Sequence, residues 1–272
     1  MTEDIIKVIV LALVEGVTEF LPVSSTGHLI VGTSLLGLNG MGAVFEVFIQ
    51  FGAVLAVVMY HRKTLYGHTV KLTSSPDVRR FWSLVALSCL PAVLLGLLAG
   101  EHIGRLLFSP RVVAISLIAG GVVFLIVERL PIFQSRATDQ GSITQITMKQ
   151  ALLVGLVQIL ALIPGVSRSG SSIIGGILSG LDRRQATEYS FFLAIPLLGG
   201  ATLYRLVTVI YTLDHGELFL LMLGAVFSSV FAWLSMDWLL RFVSNNSFVV
   251  FGYYRILAGL LILAAVASGL IS

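Results

Sequence analysis

Pro22-Val23-Ser24-Ser25-Thr26-Gly27 and Pro164-Gly165-Val166-Ser167-Arg168-Ser169-Gly170 interrupt two apolar runs that would otherwise read as membrane helices. The first break falls between residues 5–21 and 29–38, the second between 148–163 and 173–181. A spanning helix needs about 20 mostly apolar residues, and each half is too short, or too polar at its break, to be one. Freed backbone N–H and C=O groups are tolerated at membrane depth only where protein or a wet cavity surrounds them. Both regions therefore read as re-entrant helix–turn–helix hairpins.

Outward from the hairpins, six stretches qualify as spans: residues 42–60, 83–99, 112–127, 189–211, 218–236 and 249–270. Of 272 residues, 57% are hydrophobic and 11% charged, against roughly 25% charged in a soluble domain. Mean hydropathy is +0.98, so the bilayer is the expected solvent. The net charge of +3 arises from few charges, and nucleic-acid binding is not indicated. The single cysteine, Cys89, cannot form an intrachain disulfide and says nothing about redox compartment. Met1-Thr2-Glu3-Asp4 lacks the basic start of a cleaved signal peptide, so the first helix is expected in the mature protein. The expectation is one all-α polytopic membrane domain over residues 1–272.

The two breaks also match each other. With an offset of 143 residues, Val23-Ser24-Ser25-Thr26-Gly27 falls on Val166-Ser167-Arg168-Ser169-Gly170, and Glu15 falls on Gln158. Three spans follow each hairpin, an odd number of crossings per copy, so repeats at 1–128 and 148–272 would be inverted in the membrane. The positive-inside rule tests this order. If Arg62, Lys63, Lys71, Arg79 and Arg80 mark a cytoplasmic loop, alternation adds Arg129, Arg136, Lys149, Arg183, Arg184 and Arg241 inside. Lys7, Arg105, Arg111 and Arg205 stay outside, a ratio of eleven to four that agrees with the model of inverted halves. Both termini are then expected outside, and the two turns are expected to meet near the bilayer centre.

Chemistry concentrates at the breaks. Glu15 and Glu19 lie four residues apart, on one helix face. A carboxylate near the bilayer centre costs at least ~2.5 kcal/mol, so one should be protonated, paired with arginine or bound to a cation. The alternative is a pair snorkelling to the outer interface. Ser24, Ser25, Thr26, Gly27 and His28 begin a helix, whose unpaired N–H groups suit a phosphate; read alone, they are an ordinary N-cap. Arg168, flanked by Ser167, Ser169 and Gly170, needs an anionic partner, and its planar fork suits phosphate or carboxylate. An internal salt bridge to Glu15 or Glu19 is compatible with that role. Glu46 and Gln50 form a second polar pair that faces the interior and is a further candidate for substrate contact. Glu188 reads as a solvated loop end, and His61, His68, His102 and His215 as solvated loop residues.

The pairing of Glu15-Gly16-Val17-Thr18-Glu19 with Pro164-Gly165-Val166-Ser167-Arg168-Ser169 resembles the bacterial undecaprenyl-diphosphate phosphatases, the bacitracin-resistance family. The resemblance covers essentially the whole chain. It implies a multi-pass protein of the bacterial cytoplasmic (inner) membrane that hydrolyses undecaprenyl diphosphate to the monophosphate, regenerating the lipid carrier of peptidoglycan synthesis. It implies an active site of Glu15, Glu19, Ser167, Arg168 and Ser169, with Ser24, Ser25, Thr26 and His28 beside it. Many members have threonine where this chain has Ser172, which keeps the hydroxyl. The family is reported to respond to divalent cations, Mg or Ca, and Glu15 with Glu19 would be the residues to hold one. Oligomeric state, monomer or homodimer, is left open.

Two function classes remain on the residues themselves. A transporter or flippase for an anionic polyprenyl lipid would also use inverted repeats with broken helices. A phosphatase additionally needs a nucleophile and a base, and Ser25, His28 and Glu19 supply them. Attack by Ser25, by His28 or directly by water all remain open at this level. Arg168 and the two turns would clamp the diphosphate in each case.

Overall fold

The computed structural model describes residues 2–36, 42–130, 143–209 and 215–271. These form eleven α-helices: α1 (Thr2–Thr18), α2 (Ser25–Leu36), α3 (Gly42–Tyr60), α4 (Arg62–Lys71), α5 (Pro76–Leu107), α6 (Pro110–Val127), α7 (Met148–Gln158), α8 (Arg168–Leu178), α9 (Arg183–Val209), α10 (His215–Asn245) and α11 (Val249–Ala267). Two 3₁₀ turns, Ile143–Gln145 and Ile159–Leu162, complete them, and no strand occurs among the described residues.

Five helices, α5, α6, α9, α10 and α11, are long and apolar enough to cross a membrane. The sixth expected span is α3, which runs into α4 through a 71° bend. The expected spans thus fall on observed helices, but the helices overrun them. Helix α5 continues to Leu107 and α10 to Asn245, because Arg105, Leu106 and Leu107 beyond one apolar window and Leu239, Leu240 and Arg241 beyond the other are good helix formers. The basic segment after Tyr60 is largely the helix α4 rather than a loop.

Several side chains therefore sit differently from expectation. His61, at the α3–α4 bend, is buried among Tyr60, Phe191 and Phe192. His68 is half-buried on α4 beside Phe81 and Trp82. His102 is exposed, but lies within α5. Glu188 is half-buried inside α9 rather than at a solvated loop end. The helices extend past the apolar windows, which places His68, His102 and Glu188 in helices and carries His61, His68 and Glu188, but not His102, into packed surroundings. His215, residues 37–41 and 131–142, and the ends of the expected spans at 210–211 lie outside the described side chains or residues.

Helix packing places the two breaks together. Helix α1 packs on α10, which also covers α3; α3 in turn meets α9, and α6 pairs with α11. Helices α7, α8, α9 and α5 form the other side. Between helices in lipid the driving force is close packing rather than the exclusion of water. Gly16 illustrates it: a Cβ there would lie 2.5 Å from the carbonyl oxygen of Ser228, so α1 and α10 touch backbone to backbone.

Candidate functional site

Helix α1 ends at Thr18 and α2 starts at Ser25; α7 with its 3₁₀ extension ends at Leu162 and α8 starts at Arg168. Just before each new helix stands a serine with positive φ, Ser24 at 70° and Ser167 at 76°. These are the only such non-glycine residues among those described, and they are equivalent under the offset of 143. Left-handed backbone at a residue with a side chain costs of order 1–3 kcal/mol, and local hydrogen bonds offset it. The Ser167 hydroxyl accepts from the Gly170 N–H at 3.1 Å as the cap of α8. The Ser24 carbonyl accepts from Nδ1–H of His28 at 2.7 Å.

The turns bring three of the candidate residues into one chain of contacts. Ser25 Oγ donates to Glu19 Oε2 at 2.5 Å, while Glu19 Oε1 accepts from Arg168 Nη2 at 3.1 Å. The Arg168–Glu19 ion pair is nearly closed to solvent, with side-chain exposures of 9% and 6%. Arg168 Nη1 donates to the Ser190 carbonyl at 2.9 Å and its hydroxyl at 3.2 Å. Ser172 in turn donates to the Ser190 hydroxyl at 2.7 Å. The guanidinium lies 5.6 Å from the centre of the Phe20 ring, which packs edge-on against Phe191. Arg168 Nε is buried without an acceptor among the described residues. Such a donor left unmet costs about 1–3 kcal/mol, which an anionic ligand or water would relieve.

A cleft of about 870 Å³ opens onto this cluster. Its polar lining includes Glu19, Ser24, Ser25, Thr26, Gln50, Ser167 and Arg168. Its remaining walls are mostly apolar, with Val93, Leu97 and Ile103 from α5 and Leu197, Ala201 and Tyr204 from α9. A charged end and apolar sides match the two parts of a phosphorylated lipid.

Not every expected residue reaches the cleft. Glu15 is 2% exposed and does not line the cleft. Ser169 is fully buried and donates to the Leu21 carbonyl at 2.9 Å, tying one turn to the other. Gly27 packs on Val113 and Leu117, and Gly170 on Ser167. Gln50 lines the cleft whereas Glu46, one turn earlier, does not. His28 points away from Ser25: its Nε2 meets the Tyr254 hydroxyl at 2.6 Å, and the two rings stack. Since Nδ1–H must donate to the Ser24 carbonyl, Nε2 of a neutral ring accepts from Tyr254.

The expectation of a divalent cation at Glu15 and Glu19 fits the geometry poorly. Both Glu19 oxygens are engaged, by Ser25 and Arg168. Among the described residues no group of three His, Cys, Asp or Glu side chains is placed to hold a metal ion.

Three features escaped sequence reasoning: Ser190 as the second partner of Arg168, Tyr254 as the partner of His28, and the buried Arg255 beside the turns. Ser190 and Tyr254 carry no signal in a single sequence. Arg255, a charge in the middle of an apolar span, did carry one.

Residues 8–261 match the family model described as "Bacitracin resistance protein BacA". A protein of Acidovorax ebreus (strain TPSY) named undecaprenyl-diphosphatase is 47% identical over 269 residues, 98% of this chain and 97% of that protein. Proteins named undecaprenyl-diphosphatase 1 from Burkholderia lata and Burkholderia ambifaria are 48% and 49% identical, each covering 97% of this chain and 96% of their own length.

Proposed function

The chain belongs to the bacitracin resistance protein BacA family, and from that premise we propose the activity and the residues that perform it. The protein is a membrane phosphatase that hydrolyses undecaprenyl diphosphate to undecaprenyl phosphate and inorganic phosphate. The observation that carries this assignment to particular atoms is the Ser25–Glu19–Arg168 chain, a hydroxyl, a carboxylate and a guanidinium joined at 2.5 and 3.1 Å at one end of the cleft.

Arg168 and the N-terminus of α8 hold the diphosphate, displacing part of the Glu19 pairing with charge-assisted bonds to phosphate. Ser25 Oγ attacks the terminal phosphorus and its proton passes to Glu19 Oε2. The bond from that phosphorus to the bridging oxygen breaks, and the lipid leaves as the monophosphate. Glu19 gives that proton to the departing lipid phosphate. Water then attacks the phosphoserine, Glu19 taking a proton from the water and returning it to Ser25 Oγ as the P–Oγ bond breaks and inorganic phosphate is released. Catalysis of this kind is mostly positioning and charge stabilisation. His28 lies outside this path, because its two nitrogens are committed to Ser24 and Tyr254. The Ser25–Glu19 hydrogen bond also favours a phosphatase over a transporter, since binding alone needs no hydroxyl paired with a base.

The two halves are inverted repeats, each a re-entrant hairpin followed by three spans. Support comes from the matched strained serines Ser24 and Ser167 and from the shared contacts of both turns. The cleft opens to the periplasmic side in this arrangement, with the termini facing the same way, in the bacterial cytoplasmic membrane. In a Cys89→Ser background, Ser268→Cys is expected to react with a membrane-impermeant thiol reagent on intact cells and Ser74→Cys is not. Labelling of Ser74→Cys from outside would overturn the topology.

The direct test of function is incubation of purified protein with a polyprenyl diphosphate. One phosphate per lipid and a monophosphate product are expected. Absence of turnover in detergent and in liposomes, with and without Mg²⁺ or Ca²⁺, would move the transporter reading to first place.

A further inference from the structure

Arg255 lies in the middle of α11 and is fully buried, yet the mechanism above makes no use of it. Its partners are all backbone carbonyls. Nη1 donates to Pro22 at 3.1 Å; Nη2 donates to Gly165 at 3.1 Å and to Val166 at 3.0 Å. Longer contacts run from Nη2 to Ser116 and from Nε to Leu117, both at 3.4 Å. No carboxylate pairs with it among the described residues, and the Phe124 ring lies 5.9 Å away.

Pro22 and Gly165 are related by the offset of 143 that also relates Ser24 to Ser167 and Ser25 to Arg168. One guanidinium therefore grips the equivalent peptide of both turns. The planar fork of arginine can serve several acceptors at once in a fixed geometry. A residue needed only to fill space at this depth would be apolar, since a buried cation is costly. We propose that Arg255 is a positioning residue that staples the two turns, holding Ser25 and Glu19 of the first in register with Arg168 of the second. When a phosphate competes for Arg168, the Arg168–Glu19 tie loosens, and the Arg255 staple still holds the frame.

Helix α6 is shaped around this staple. A Cβ at Gly120 would lie 2.2 Å from Arg255 Nη2, inside contact distance. Gly120→Ala thus pushes the guanidinium off its carbonyls without altering Arg255 or either turn, and it does not weaken α6, because alanine is the better helix former.

The kinetic half of the test rests on the phosphatase reading; the exchange half does not. Wild type, Arg255→Lys, Gly120→Ala and the double variant are purified, and turnover of a polyprenyl diphosphate is measured per folded molecule. A displacement of about 1 Å at a site of this kind lowers the rate roughly a hundredfold. Each single variant is expected to lose about that much in kcat with KM little changed. The double variant should lose little more, because both changes act through one side chain. Amide hydrogen exchange is followed on peptides covering residues 20–28 and 163–171. Uptake in both turns is expected to rise together in each variant, while α5 and α10 stay protected. Wild-type kcat in folded Arg255→Lys, additive losses in the double variant, or faster exchange in only one turn or in neither overturns the staple. Failure of both single variants to fold also overturns it, since Arg255 would then serve folding rather than the site. A wild type without turnover whose variants still loosen both turns would refute the phosphatase reading and leave the staple standing.

Discussion

The two turns share a backbone and differ in their chemistry. Ser24 and Ser167 take nearly the same unusual φ, and Pro22 and Gly165 offer the same carbonyl to Arg255. At the next equivalent position the first turn carries Ser25 and the second Arg168. Four positions before the first turn's acid stands Glu15; the second half has Gln158 at the place of Glu15. Glu15 and Glu19 belong to one half and Arg168 to the other. A symmetric pair of turns would place two hydroxyls or two guanidinium groups face to face. In the proposed mechanism the asymmetric pair instead assembles a nucleophile, a base and an anion clamp from two matched turns.

The comparison is broken most completely by Ser25→Ala. Turnover is expected to be abolished while substrate binding survives, because Arg168 and the α8 N-terminus are untouched. A brief incubation with terminally ³²P-labelled substrate should trap an acid-stable adduct on wild type and none on Ser25→Ala. An acid-labile adduct that disappears in His28→Ala would instead transfer the nucleophile to His28, and substantial activity in Ser25→Ala would remove Ser25 from the role.

Arg168→Lys probes the other turn at the equivalent position. Lysine preserves the charge but cannot serve Glu19, Ser190 and a phosphate together. The expected loss is about 10²–10³ in rate, the cost of one transition-state donor. Steady-state kinetics with near wild-type values would show that charge alone suffices and that the fork has no catalytic part.

His28→Ala gives the smallest expected effect. Its ring secures the Ser24 carbonyl and meets Tyr254 rather than Ser25. The loss of one such bond is worth about 1 kcal/mol, so the rate should fall roughly fivefold, with the ³²P adduct still formed. A loss as deep as that of Ser25→Ala would place His28 in the chemistry after all.

Much of this was legible without coordinates. The apolar windows locate the spans because a helix crossing a bilayer must be apolar over about 20 residues, and α5, α6, α9, α10 and α11 fall where those windows lie. Pro22 and Pro164, followed by clustered hydroxyls, announce the breaks, and the match between the two turns announces that they belong together. Glu19, Ser25 and Arg168 stand out because charge and hydroxyl groups are expensive at membrane depth unless they meet one another. Other features needed the packed molecule. His61 and Glu188 read as solvated until helix overrun carries them into the protein, and a propensity window cannot see where a helix end is packed. Glu15 and Glu19 are equals in sequence, one helical turn apart, yet only Glu19 faces the cleft and meets Ser25 and Arg168.

The amino-acid sequence by itself determined the class of fold, the two breaks and the cast of charged residues, because hydropathy, proline and charge act locally and leave local traces. Tertiary structure alone decided the partners. Arg168 meets Glu19 across 149 residues of chain, His28 meets Tyr254 across 226, and Arg255 meets Pro22 across 233. Contacts at such separations depend on how helices cross and which faces they turn to each other, and no local pattern encodes a crossing angle.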